Sequence, residues 1–196
     1  MLINSEREEM MKKLMVSLAV IAFCAMSLQA VALPAYSSQV QQITTTFSPV
    51  YGTGSAEVTS TVYAATGGGY IYAYEIKNAT NTFSWFSVAL LPGAVVTGTG
   101  YDSGTNDPTS WTTVGVPATS VEGLFAIQIA PGVDSSVVWF TSPGAPTRDL
   151  GSLTGLGTKG TFNYLEGGIL TPIPEPMTMV LLGAGWLALR TCGRKR

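Results

Sequence analysis

The chain has 196 residues, of which 46% are hydrophobic and only 11% charged, with 22 Gly, 11 Pro, 2 Cys and no His. Without histidine it can build neither a Ser-His-Asp nor a Cys-His nucleophile system, nor a His-ligated zinc site. The formal net charge of -2 hides basic ends and an acidic middle: between residues 33 and 176 nine carboxylates face Lys77, Arg148 and Lys159, a net of 3 - 9 = -6, so phosphate finds no cationic track and nucleic acid is excluded as a partner.

In chain order, Lys12 and Lys13 precede an apolar stretch over residues 14–28, and Ala30-Val31-Ala32 follows as a small-x-small site. A basic flank, an apolar run and small residues at the cut are the three parts of a secretory signal peptide. This predicts a signal-peptide helix within residues 1–32, removed by signal peptidase, with Ala30 and Ala32 as the cleavage residues. The acidic leader, residues 5–9, points to Met10 or Met11 as the start of translation. Cys24 follows the bulky Phe23, which does not suit a lipoprotein cut.

Residues 33 to about 170 consist of short runs rich in Val, Ile, Thr, Tyr, Phe and Trp, punctuated by Gly, Pro, Asn and Asp. That pattern predicts an all-β sandwich or barrel, with strands near 39–47, 55–64, 69–77, 83–90, 94–100, 109–114, 121–130, 134–141 and 160–166. The clearest is the alternation that sets Tyr70, Tyr72, Tyr74 and Ile76 on one face, entered through Gly67-Gly68-Gly69. Both cysteines fall outside residues 33–176, so the domain must depend on its apolar core, which a chain of this length can supply. Abundant Ser and Thr suit half-buried pleated surfaces.

Candidate chemistry is sparse. Trp85, Trp111 and Trp139, with the tyrosine stripe, could stack on the apolar face of a pyranose, or simply fill a core. Residues 98–100 carry Gly-Thr-Gly, but Ser103 stands where a dinucleotide fingerprint needs its third glycine. Residues 102–107 (Asp-Ser-Gly-Thr-Asn-Asp) offer alternating oxygen donors, yet Gly104 takes a donor position and no glutamate closes the loop, so an Asx-rich turn is expected rather than a calcium site. A Ser-Lys pair with Lys77 or Lys159 lacks a nucleophile elbow around any serine. No cofactor, no metal and no enzymatic activity are expected.

At the C-terminus, Pro174-Glu175-Pro176 leads into residues 177–189, where only Thr178 is polar, and then to Arg190, Arg194, Lys195 and Arg196. A helix of thirteen residues spans about 20 Å, a short transmembrane segment with arginines able to snorkel. Basic residues at both ends place the intervening domain outside the membrane. This tail resembles the PEP-CTERM sorting signal of Gram-negative bacteria over about the last 25 residues, with Pro174, Glu175 and Pro176 matching the recognised motif. The resemblance implies processing by an exosortase, transient anchoring in the inner membrane, and delivery to the cell surface, outer membrane or extracellular matrix. It also admits O-glycosylation and contact with exopolysaccharide, although the fit of Thr to a half-buried pleated surface is the preferred account of the Ser and Thr content.

Residues 70–78, 83–91, Phe125 through Pro131-Gly132, and residues 137–143 are similar to a recurrent extracellular module found upstream of such tails, itself immunoglobulin-like. That similarity implies central core strands at 70–78 and 121–130. Together these readings predict a signal peptide over 1–32, an immunoglobulin-like β-sandwich over 33–172 flanked by an N-terminal and a short C-terminal helix, and a sorting signal over 173–196. The expected role is structural or adhesive, with carbohydrate binding through Trp85 and Trp111 as the alternative.

Overall fold

A computed structural model describes residues 31–104, 106–156 and 162–174. They form ten strands: β1 (Tyr36–Tyr51), β2 (Ala56–Ala65), β3 (Tyr70–Lys77), β4 (Phe83–Ala89), β5 (Gly98–Tyr101), β6 (Pro108–Val114), β7 (Ser120–Ile129), β8 (Val138–Ser142), β9 (Pro146–Leu156) and β10 (Phe162–Pro172). Every ladder is antiparallel, and the strands make one continuous sheet in the order β5-β8-β3-β2-β1-β10-β9-β4-β7-β6. The two end strands, β5 and β6, pack against each other, so the sheet curls into a nearly closed barrel.

The long strand β1 makes this possible. Its first part, from Tyr36 to Phe47, pairs with β2, and its last part, from Ser48 to Tyr51, pairs with β10. A register shift between Pro49 and Tyr51 follows just after the handover, the kind of irregularity found where a sheet changes direction. The β2–β3 hairpin turns through Gly68 and Gly69, both at positive φ (92° and 77°), a conformation glycine adopts without steric cost.

Strand alternation then sorts the aromatics. Tyr72, Tyr74 and Ile76 of β3 point inward, as their period-two spacing requires, and Phe86, Trp111, Phe125 and Phe140 meet them from four other strands. Phe86 and Trp111 stack with centroids 5.9 Å apart and an interplanar angle of 7°, while Tyr74 lies 5.7 Å from Phe86 and 5.9 Å from Phe140. The polar tips of three of these aromatics find backbone acceptors: Tyr72 Oη donates to Gly144 O, Tyr74 Oη to Leu170 O (both 2.6 Å) and Trp111 Nε1 to Trp139 O (2.7 Å). Burial pushes the Tyr72 and Tyr74 phenols above the usual tyrosine range.

This architecture corrects the expected immunoglobulin-like β-sandwich. A sandwich has two sheets, each with its own edges, whereas here ladders run unbroken from β5 to β6 because β1 belongs to both halves. The flanking helices are corrected as well: among the described residues there is no helix, and none long and apolar enough to cross a membrane. The expected signal-peptide helix within 1–32 and the transmembrane segment 177–189 lie outside the described residues, apart from residues 31 and 32, which belong to no helix or strand. The membrane as a partner, and transient inner-membrane anchoring through such a helix, are accordingly withdrawn.

Strand β9 carries no strand-like signal in the sequence. It contains Arg148, Asp149 and two glycines, yet pairs along its length with β10. The glycines are dictated by neighbours: a Cβ on Gly151 would stand 3.0 Å from Phe47 Cζ, and one on Gly155 would run into the backbone of Thr82 and Phe83. The same holds at Gly123 of β7, where a Cβ would lie 2.7 Å from Trp111 Cε3. Gly123→Ala is expected to overpack the Phe86–Trp111 stack and cost about 1–3 kcal/mol in urea unfolding. An unchanged midpoint would show that the stack has room to spare.

Candidate functional site

The registers of β6, β7, β4, β9, β10 and β1 place residues from six strands in straight rows on the outer face. One row runs Ser110, Leu124, Trp85, Thr154, Tyr164, Tyr51; the next runs Thr112, Glu122, Ser87, Ser152, Glu166, Ser48, two residues along every strand except β1, where the register shift makes it three. Because side chains two apart share a face, these rows are neighbours, and both look away from the core.

The second row forms a groove. Ser87 and Ser152, with Gly151 and Ala89, make a floor of small residues, and the longer Glu122, Glu166, Tyr164 and Leu150 rise around it to enclose about 230 Å³. Both carboxylates are oriented by local hydroxyls: Ser120 Oγ donates to Glu122 Oε1 and Tyr164 Oη to Glu166 Oε1, each at 2.7 Å. The bond to Glu166, reinforced by partial burial, holds the Tyr164 phenol above its ordinary range. Beside the groove, Trp85 is half-buried, while Leu124 and Tyr51 are exposed, so an aromatic and apolar strip borders a polar channel.

The expected site residues are distributed differently from one another. Trp85 stands on this outer face. Trp111 is 1% exposed, stacked on Phe86 inside the barrel, and offers no ring face to a ligand. Trp139 lies outward but is covered, packed with Ile71, Ala73 and Leu33. Ala32 is exposed at the start of the described chain, and Pro174 ends it, one residue after the final backbone bond from Ile173 N to Ala145 O (2.8 Å). Ala30, Glu175 and Pro176 lie outside the described residues.

In the loop after β5, Asp107 Oδ1 accepts from Gly104 N (2.8 Å) and Ser136 Oγ (2.5 Å), and the Asn106 side-chain nitrogen donates to Asp134 O (3.0 Å), so these groups tie the loop to the fold. Among the described residues no group of three or more His, Cys, Asp or Glu side chains could hold a metal ion. Lys77 pairs with Glu75 at 3.0 Å, and that bond raises its pKa, the opposite of what a general base requires. Lys159 lies outside the described residues.

The sequence had pointed to Trp85 but not to Glu122, Ser87, Ser152, Glu166 or Tyr164. The chain matches no family model, no curated protein and no solved structure.

The Tyr164–Glu166 bond is testable by titration. Ultraviolet difference absorbance should show Tyr164 ionising above the ordinary value of about 10, in company with Tyr63 and the buried Tyr72 and Tyr74, and Glu166→Gln should move one of these steps down, because the neutral amide carries no charge to favour the protonated phenol. An unmoved titration would mean that the two groups do not interact in solution.

Proposed function

We propose that this chain is an exported structural or adhesive protein of the cell surface or extracellular matrix, sorted by an exosortase through Pro174, Glu175 and Pro176, which holds polysaccharide on its outer face without catalysis. The observation that carries the reading is the pair of rows centred on β4 and β9. Stacking surface at Trp85 and Tyr164 lies alongside hydroxyls and carboxylates at Ser87, Ser152, Glu122 and Glu166, and sugars require both: an apolar ring face to pack on, and polar groups to meet their hydroxyls.

The sorting part of the proposal is supported by where the fold ends. Strand β10 runs to Pro172, and the Pro-Glu-Pro motif begins two residues later, so a processing enzyme could reach it without unfolding the barrel. Ala30 and Ala32 precede the other end, six and four residues before β1 begins. Solvent-facing Thr and Ser along the outer strands would accept glycans if the protein is modified.

The secreted protein should be retained on insoluble polysaccharide, and Trp85→Ala should weaken retention roughly tenfold, which corresponds to about 1.4 kcal/mol. Phe substituted for Tyr51, which keeps the ring, should be nearly silent. Retention indifferent to Trp85→Ala would remove the carbohydrate reading. Intact-mass measurement of the secreted form should give a chain ending near Pro174, and recovery of the chain still carrying Arg196 would remove the sorting reading.

A further inference from the structure

Residues 31–35 form a strap across the outer side of β3 and β8, on the opposite part of the barrel from the groove. Three tethers hold it: Trp139 Nε1 donates to Val31 O (3.1 Å), Leu33 N donates to Asp102 Oδ1 (2.6 Å), and Thr66 gives both its amide (3.1 Å) and its hydroxyl (2.5 Å) to Ala35 O. The Leu33 side chain packs on Ile71, Ala73 and Trp139, with Tyr63, Ala65 and Val137 around them. Asp102 is itself set in place by its own amide, which donates to Val137 O (2.9 Å).

The central tether has an unusual property. Its donor atom is the nitrogen of the Ala32–Leu33 peptide bond, the bond that cleavage after the small-x-small residues Ala30 and Ala32 would break. Hydrolysis there takes one water: its oxygen joins the Ala32 carbonyl carbon to give a carboxylate, and the Leu33 nitrogen becomes an amine, protonated at neutral pH. The heavy atom need not move. A neutral hydrogen bond becomes an ion pair between an α-ammonium and a carboxylate, the stronger kind of contact.

We propose that Asp102 is the receiving site for the mature N-terminus: the barrel is built to hold a free α-ammonium at Leu33, and processing after Ala32 locks the strap over Trp139. This rests on cleavage after Ala32, which the test checks separately. The cut also removes the Val31 carbonyl from Trp139 Nε1, so the new ion pair and the Leu33 side chain carry the strap's attachment together with Thr66. Lys77 does not compete for Asp102, being paired with Glu75.

The pairing should appear as a pH dependence. The ionisable groups around Leu33 and its neighbour Tyr63 are Asp102 from the end of β5, Tyr63 from β2, Glu75 from β3 and Tyr36 from β1. Burial raises the Tyr63 phenol, so it ionises above the amine. An α-amino group ordinarily titrates near 8 and is raised by a carboxylate partner; its contribution is therefore complete below about pH 8 and is lost as pH rises through the raised folded value.

The experiment uses the secreted chain, the same chain with Asp102→Asn, and a chain with one Met placed before Leu33. Melting temperature is followed from about pH 6 to about pH 10, together with the rate at which an amine-reactive ester labels the N-terminus. The natural chain should lose roughly 2–4 °C across that range, and Asp102→Asn and the Met-extended chain should start lower and lose less. The labelling rate of the natural chain should be several-fold below that of Asp102→Asn. Equal pH profiles and equal labelling would overturn the pairing, whereas a secreted chain that begins at any residue other than Leu33 would overturn the processing on which it rests.

Discussion

Trp111 closes the barrel. It sits on β6, one end of the sheet, and its indole nitrogen reaches the backbone of Trp139 on β8, next to the other end. Its ring stacks on Phe86 and lies 6.5 Å from Tyr74, whose hydroxyl in turn binds Leu170 O on β10. A ten-stranded sheet left open would expose ladder edges and an apolar face; folding it over one aromatic core buries the face and brings the two end strands against each other. The glycines at positions 123, 151 and 167 follow from this, since each gives room to a ring, Trp111 in the first case and Phe47 in the others.

Closure also decides what faces out. With Tyr72, Tyr74, Phe86 and Trp111 committed to the interior, the outer face of β4, β7, β9 and β10 is left with Trp85, small hydroxyl residues and two carboxylates aligned by register. The opposite outer face has its own aromatic, Trp139, but the strap around Leu33 covers it. The two sides therefore differ in what they can offer a partner: one presents an open polar groove, the other a sealed apolar cluster whose seal begins at the predicted processing site.

Much of the strand content was legible because alternation is a local property. Tyr72, Tyr74 and Ile76 announced both a strand and its buried face, and the hairpin at Gly68-Gly69 was visible in the glycine run. What could not be read was pairing. Nothing in residues 36–51 says that one strand will serve two neighbours, so a curled single sheet looked like a sandwich. Strand β9 was hidden because its glycines answer to residues distant in sequence, Gly151 to Phe47 and Ile169 and Gly155 to Thr82 and Phe83, and so read locally as turns. The groove was hidden for the same reason: Glu122, Ser87, Ser152 and Glu166 become a row only once four strands are in register, while Trp85 and Trp111 look alike until strand direction sends one outward and the other in.

Closure by Trp111 can be measured directly by hydrogen exchange on the Trp111→Phe variant, which keeps an aromatic ring and loses the donor to Trp139. If the barrel is shut by that bond, amides of β5 and β8 should lose protection together with those of β6, although β6 is at the far end of the hydrogen-bonded order, while β2, β1 and β10 remain protected. Loss confined to β6 and its neighbour β7 would contradict the account and would describe an open sheet whose ends do not depend on each other.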